Sequence, residues 1–579
     1  MDLAAVMTAG SPHHPTTAPL YMRSSLLVIA AAIVVAGCSS KEGSRSADAG
    51  GATGGTLIYA APADAVDLFP PYVGDLVGRM VQDLVYERLA EIGPELQTIG
   101  DKGFSPLLAK SWTWAPDSLS IAFSLDPRAR FHDGKAVTAN DVRYSFKVFT
   151  DPKVGSTTAP LLTNIDSVSV RDSLTPVFWF KKRTPEQFYD VAYQILVMPE
   201  HVFGSIPGEQ LHTSEITRKP VGTGRFRLAK WDAGTRIELI ADTANYHGRP
   251  KLDRIIVTPV APATGVAQML SGQADFMDVF PFDQAPKLDS STTARPILQS
   301  QGTYAFMAMN QYDPKNKKSA NPIFSDNRVR RALSMAVDRA GMLHNVFGDR
   351  GHLAHGPFPT IASYGDSTLR MPPFDTVAAK ALLDSAGWRV GAGGIRMKNG
   401  RPLRFALLVP ASSAQRQQYS VLLQDQFRKV GAQADIDKLD PGTMSSRVQG
   451  YDFDAVIMAY HPDPSPSGTR QYWSTAGIGP AGQNTLRYSN REVDALLDSV
   501  SSSFDPAKMK TYASRAFQKI IDDAPAIWLY DFVTVSAINR RITTPPLRAG
   551  EWWTNIADWS IPADKRIDRD RIGLTPAKP

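Results

Sequence analysis

Few residues in this chain of 579 stand at spacings that carry catalysis. There is no GxxxxGK[ST] phosphate loop, no HExxH zinc helix and no G-x-S-x-G nucleophile turn. The single cysteine, Cys38, follows an apolar run near the N-terminus, so neither a catalytic thiol nor an intrachain disulfide is expected. His352 and His355 (HLAH) could offer two imidazoles to a metal, but no third ligand stands near them and they read as a surface loop. The pairs Asp452/Asp454 and Asp522/Asp523 fall at strand and helix ends, where carboxylates are ordinarily solvated. No metal or cofactor is expected. What remains is a proline-rich loop, Tyr460-His461-Pro462-Asp463-Pro464-Ser465-Pro466-Ser467-Gly468, followed by Tyr472-Trp473. A carboxylate there could hold a cationic group through a hydrogen bond that strengthens as water leaves. Tyr460 and Trp473 could bury apolar parts of the same molecule. Asp463 could equally cap the proline-rich turn.

The elements that must position such a loop follow from the hydrophobic pattern. Strands are expected at 56–60, 225–228, 237–240, 255–260, 432–436, 454–459 and 527–530. Helices are expected at 77–89, 263–270, 326–346, 375–386, 415–430, 490–500 and 508–522. Strands and helices alternate, which gives an α/β (mixed α+β) fold class. The segment 131–149 reads as hairpin, cap and amphipathic helix. Asp133-Gly134 makes the turn, Thr138 and Asp141 sit at the helix start, and Val142, Phe146 and Phe149 recur on one face. With 43% hydrophobic and 21% charged residues the chain is not disordered, and its length exceeds what one core holds. Basic residues exceed acidic ones by 63 to 57, a net charge of +6 that is not gathered into a stripe, so nucleic acid is not an expected partner.

Leu26–Ala36 is an eleven-residue apolar run behind Arg23, long enough for a signal-peptide core and short of the about 20 residues that span a membrane. Val35-Ala36-Gly37-Cys38 resembles a bacterial lipobox, which implies cleavage before Cys38 and lipidation of its sulfur. Residues 1–21 lack a basic residue, and a start at Met22 would give an ordinary signal, so they read as an extension of the gene start. Residues 39–55, rich in Ser, Gly and Ala, read as a flexible tether.

Several blocks together resemble the extracytoplasmic solute-binding proteins of the peptide/nickel ABC importers, bacterial solute-binding protein family 5. They are FHDGKAVTANDVRYSF (131–146), PVGTGRFRLAKWDAGTRIELIADTANYHGRPKLDRI (220–255), LSGQADF (270–276), FSDNRVRRALSMAVDRAGMLHNVFG (324–348), FDTVAAKALLDSAGW (374–388), YSNREVDALLDS (488–499) and DDAPAIWLY (522–530). The resemblance implies a type II periplasmic binding protein, a three-lobed clamp. Its divisions would be a signal peptide (1–37), lipidated Cys38 and tether (38–55), a discontinuous lobe I (56–105, 220–303 and 537–579), lobe II (106–219) and lobe III (304–536). Chain crossings would lie near 302–304 and 536–539.

It also implies a function that is not enzymatic: capture of oligopeptides or dipeptides in a closing cleft for delivery to an ABC permease. The protein would be a monomer anchored by lipid to the extracytoplasmic face of the membrane. In many peptide receptors of this family an aspartate three residues after an aromatic receives the peptide ammonium, and Tyr460-x-x-Asp463 fits that spacing. Relatives with an Asp-Pro-Asp-Pro loop would instead place their first Asp where His461 stands. By the same resemblance Tyr304 and Asn310, on the strand entering lobe III, are expected at the cleft, with Gln483 and Asn484 as further contacts; Tyr304 could equally be a core strand residue. Nickel complexes, haem or oligosaccharides are alternative ligands. A secreted hydrolase and a sensory or adhesion lipoprotein are alternatives of other kinds.

Overall fold

In the computed structural model, residues 53–571 are described, apart from 73–74 and 480–481. The signal segment, Cys38 and most of the tether lie outside the described residues. The described chain from residue 53 onward belongs to one unit, and within it the largest sheet has eleven strands. Across the sheet the order is Gln433–Leu439, Arg404–Pro410, Ala455–Tyr460, Ala294–Met309, Ala526–Asn539, Phe276–Phe280, Thr56–Ala61, Arg254–Pro259, Arg236–Ala241 and Phe226–Asp232, with His352–Leu353 added alongside Ala526–Asn539. A separate antiparallel sheet of four strands is built from Ala109–Trp114, Ser120–Leu125, Thr175–Phe180 and Ile165–Asp172.

Two strands dominate. Ala294–Met309 and Ala526–Asn539 pair antiparallel along almost their whole lengths. The ladder slips between Ser300 and Tyr304, where Gly302 takes a φ of +64° that a residue with a Cβ adopts only at a cost. Beyond the slip both faces of the sheet are covered. Ala305, Met307 and Met309 enter one core, and Tyr304, Phe306 and Ala308 enter another with Tyr460, Trp473 and Trp528. Period-two alternation therefore buries every residue of this stretch.

The local signals of the 131–149 block are realised, with one change of role. Gly134 turns at a φ of +89°. At the start of helix Ala139–Thr150, Asp141 Oδ2 accepts both the Thr138 backbone N–H (2.8 Å) and the Thr138 hydroxyl (2.9 Å), while its other oxygen accepts the Glu200 N–H at 2.9 Å. Asp141, rather than Thr138, thus supplies the acceptor. Two expected helices change shape. The helix expected over 77–89 is Leu76–Val85, closed by extended backbone at Tyr86. The long helix expected over 326–346 is two, Asn327–Met335 and Arg339–Phe347, because Asp338 begins the second by accepting the Gly341 N–H at 2.9 Å. The PVGTG segment earns its small residues by contact: a Cβ on Gly222 would lie 1.9 Å from the Val85 carbonyl oxygen.

One buried ion cluster joins distant stretches of chain. Asp275 receives Arg541 Nε at 2.9 Å, an Arg541 terminal nitrogen at 2.9 Å, an Arg569 nitrogen at 2.6 Å and the Ile58 N–H at 2.9 Å. Arg541 also donates to Asp570 (2.6 Å) and to the Thr56 carbonyl (2.9 Å), and Asp570 accepts the Thr56 N–H at 2.9 Å. The first strand, the middle of the chain and its C-terminal segment are thereby tied at one point. Among the described residues no helix is long and apolar enough to cross a membrane.

Candidate functional site

Strand Ala455–Tyr460 ends in a segment whose geometry prolines dictate. Pro462, Pro464 and Pro466 lack N–H donors and hold φ near −65°, and each disfavours the helical region for the residue before it. The chain therefore leaves the sheet as a stiff extended loop. Asp463 Oδ1 accepts the Ser465 N–H at 2.8 Å, an Asx turn that fixes the carboxylate. Its other oxygen receives the Tyr189 hydroxyl at 3.3 Å, a long bond. The turn-capping geometry and the outward-facing carboxylate thus coexist, one oxygen for each.

Asp463 faces a cleft of about 420 Å³. One wall holds His461 to Pro464, Gln301 and Gly302; Pro359, Ile361, Ala362 and Tyr364 add a second segment. The opposite wall is formed by Leu76 and Arg79 of the first helix, by Tyr189 and Tyr193, and by Glu551 and Trp553. Arg79 is held by Glu551 at 2.6 Å, and Tyr193 donates to the same carboxylate at 2.8 Å. The Tyr189 and Tyr193 rings stack at 5.3 Å. At one end the walls touch, where the Ser465 hydroxyl bonds Glu186. The Tyr364 hydroxyl is buried in this lining with no hydrogen-bond partner among the described residues. His461 receives or donates one bond at Nδ1, to Thr303 Oγ1 at 2.9 Å, and burial holds its pKa below the ordinary value.

The profile of the bacterial extracellular solute-binding proteins, family 5 (middle region), matches residues 103–480. The chain belongs to this family. Its members are binding proteins of the extracytoplasmic space rather than enzymes. The family 5 protein is 24% identical over 522 residues to the oligopeptide-binding protein AppA of Bacillus subtilis, covering 88% of this chain and 93% of AppA. The solved structure of AppA with a nonapeptide superposes with a TM-score of 0.68 at 23% identity, covering 88% of this chain and 99% of that one. The substrate-binding protein CtaP of Listeria monocytogenes gives 0.76 at 20% identity over 88% and 99% of the two chains. NikA of Brucella suis, solved with Fe(III)-EDTA, gives 0.74 at 20% identity over 87% and 99%. The mixed α/β fold of the periplasmic binding proteins is thereby shown.

Within this family 5 protein, the eight residues expected at the ligand separate into two groups. His461 and Asp463 line the cleft. The side chains of the other six sit elsewhere. Tyr304 is buried and accepts the Trp473 indole N–H at 3.0 Å, which also accounts for Trp473. Tyr460 is buried, its hydroxyl donating to the Gln483 carbonyl at 2.8 Å, while the Gln483 side chain is exposed outside the cleft lining. Asn310 donates to the Tyr451 and Phe453 carbonyls (3.2 and 3.0 Å), and Asn484 to those of Ser474 and Tyr488 (both 2.8 Å). Asn310→Ala is expected to lower unfolding free energy by about 1–3 kcal/mol, the cost of unsatisfied buried carbonyls, and to leave ligand affinity unchanged. Denaturant unfolding beside a binding titration checks this. His352 stands exposed, and among the described residues no cluster of three or more His, Cys, Asp or Glu could hold a metal.

The residues not anticipated come from six far-apart segments around 76–79, 92–96, 189–194, 301–302, 359–364 and 549–553. Only Tyr189 and Tyr193 carried a local signal, an i, i+4 pair on one helical face.

Asp463 is open to the water of the cleft yet surrounded by protein on most sides. That desolvation raises its pKa, against the opposing pull of the Ser465 N–H, the Tyr189 hydroxyl, Arg79 and His461. Glu186 and Asp190 nearby are raised too, each first by burial. A raised folded-state value means that the contribution to stability is full below the unfolded carboxyl value of about 3.9 and is lost as pH rises through the folded value. A cationic ligand needs the ionised form. Affinity for such a ligand is therefore expected to fall as pH is lowered from neutral through the raised value, and Asp463→Asn should flatten that part of the profile. Calorimetric titration of both proteins from neutral to mildly acidic pH checks it.

Proposed function

We propose that this protein is the substrate-binding component of an ABC importer that captures short peptides and delivers them to its permease. The observation that carries the reading is the Asp463 carboxylate, fixed by a proline-framed Asx turn and presented to a half-open cleft. It is placed to accept a peptide α-ammonium, with Tyr189, Tyr193 and Trp553 as apolar surface. A cleft of about 420 Å³ falls within the roughly 300–1,000 Å³ of small-ligand sites, which suits a peptide of a few residues. The relationship to AppA, an oligopeptide-binding protein, supports the same ligand class. Of the residues expected at the ligand, His461 and Asp463 are the ones retained in this reading.

The three lobes divide as 56–105, 220–303 and 537–579; 106–219; and 304–536. The slip in the two-strand ladder at Ser300–Tyr304 is the place where closure would be absorbed, since Gly302 tolerates a change in backbone angles there. The mature chain acts as a monomer held to the extracytoplasmic face of the membrane by lipid on Cys38. Cys38→Ser should leave an uncleaved or unlipidated precursor, and absence of radiolabelled palmitate from the wild type would overturn the anchor.

His461 in the cleft wall favours one alternative, a chelated metal ion. Calorimetric titration with a library of free-amine peptides and with nickel–histidine chelates separates the two. Peptide binding without peptide cleavage, read by mass spectrometry, is the expected result. Binding of the chelate alone would replace the ligand class.

A further inference from the structure

A second groove, of about 600 Å³, shares no lining residue with the cleft. It lies between the 131–134 turn, the segment Glu215 to Val221, and strand Phe226–Asp232. That strand's ladder slips between Leu228 and Lys230, so residues on both sides of the slip reach the groove. Its charges are unbalanced. Asp133 is paired with His201 at 2.6 Å, and Lys230 with Asp232 at 2.8 Å. That leaves Arg218, Lys219 and Arg227, for which no ion pair occurs among the described residues, facing one free carboxylate, Glu215.

Arg227 decides what the imbalance means. It is half-buried where Arg218 and Lys219 are exposed, and its Nε is buried with no hydrogen-bond partner among the described residues, so the guanidinium lines the groove without a fixed acceptor of its own. The adjacent imbalance is not relieved by His132. That ring donates from Nε2 to the Gly224 carbonyl (2.9 Å), accepts the Gly222 N–H at Nδ1 (3.3 Å), and is held neutral by burial, with Arg227 adding to the effect. Arg218 is oriented without being neutralised, its guanidinium lying 3.8 Å from the centre of the Trp231 ring, whose N–H goes to Asp64 at 3.1 Å. Two guanidinium groups and an ammonium against one free carboxylate leave a surplus of positive charge that suits a phosphate ester, monoester or diester, and guanidinium forks fit phosphate oxygens. Pro220, Val221 and Leu228 supply apolar surface for an ester group.

We propose that this groove binds a phosphate ester, with Arg218, Lys219 and Arg227 as its cationic ligands. The same chemistry is found in a soluble phosphate monoester and in an anionic lipid headgroup. The test titrates the purified protein with glycerol phosphate by calorimetry and, separately, sediments it with phosphatidylglycerol vesicles, using phosphatidylcholine vesicles as control. Binding of glycerol phosphate but not vesicles assigns a soluble ester; binding of phosphatidylglycerol vesicles above the control assigns a headgroup. In either case Arg227→Gln should weaken binding about tenfold or more. Arg218→Gln/Lys219→Gln, which changes only rim residues, should do the same with an unchanged melting midpoint. Absence of binding in both assays overturns the proposal, as does binding that neither variant weakens.

Discussion

Asp463→Asn is expected to weaken binding of a free-amine peptide by roughly ten- to a hundredfold. The substitution keeps the shape of the loop and an oxygen for the Ser465 N–H, but removes the charge that an ammonium would meet. Hydrogen bonds to charged groups contribute about 1.5–3 kcal/mol, and about 1.4 kcal/mol is tenfold in Kd. N-acetylated peptides should bind the wild type poorly and lose little more in the variant, because both changes remove one interaction. Since Asp463 both caps its turn and faces the cleft, a lower melting midpoint alone decides nothing; the four-way comparison of peptides and proteins does. Equal binding of free and acetylated peptides by the wild type would end the ammonium role.

The second large effect concerns the buried cluster. Asp275→Ala leaves Arg541 without its main counterion in a buried site and removes the acceptor of the Ile58 N–H and of Arg569. Removing one partner of a buried pair typically costs about 3–5 kcal/mol, and here Arg541 would keep only Asp570 while Arg569 loses its carboxylate. Denaturant unfolding should show a loss of that order. Arg569→Gln, at the more exposed edge of the cluster, should cost less. A loss under about 1 kcal/mol for Asp275→Ala would mean that water or a rearranged neighbour compensates the arginine.

How much of this was legible beforehand differed from residue to residue, for physical reasons. The 131–149 block reads correctly because its signals are local: a glycine turn, a cap and a helical stripe within a few residues of one another. The turn at Asp463 is legible because alternate prolines leave few backbone options, whereas the same residues left open whether its carboxylate also meets a ligand. Tyr304 and Trp473 stand where periodicity is silent. The strand of Tyr304 is covered on both faces, so alternation cannot say which side meets a ligand and which meets a core, and Trp473, on the short helix Thr469–Trp473, packs into that same core. The break at Asp338 was hidden because an aspartate inside a helical pattern can be an exposed helical residue or the cap of a new helix. Apart from the Tyr189 and Tyr193 pair, the opposite wall of the cleft was beyond any local pattern, being assembled from segments hundreds of residues apart.

The tie between Thr56 and Asp570 spans 514 positions, and it has a bearing on how the chain is made. Its first strand has no parallel neighbour until Arg254–Pro259 exists, and its buried anchor is absent until Asp570 emerges. Closing so long a loop is entropically unfavourable and slow, so this layer settles last. A chain whose synthesis or translocation has not yet passed residue 570 cannot complete it. The topology itself holds back completion of this layer until residue 570 has emerged, an order of events that suits an extracytoplasmic protein.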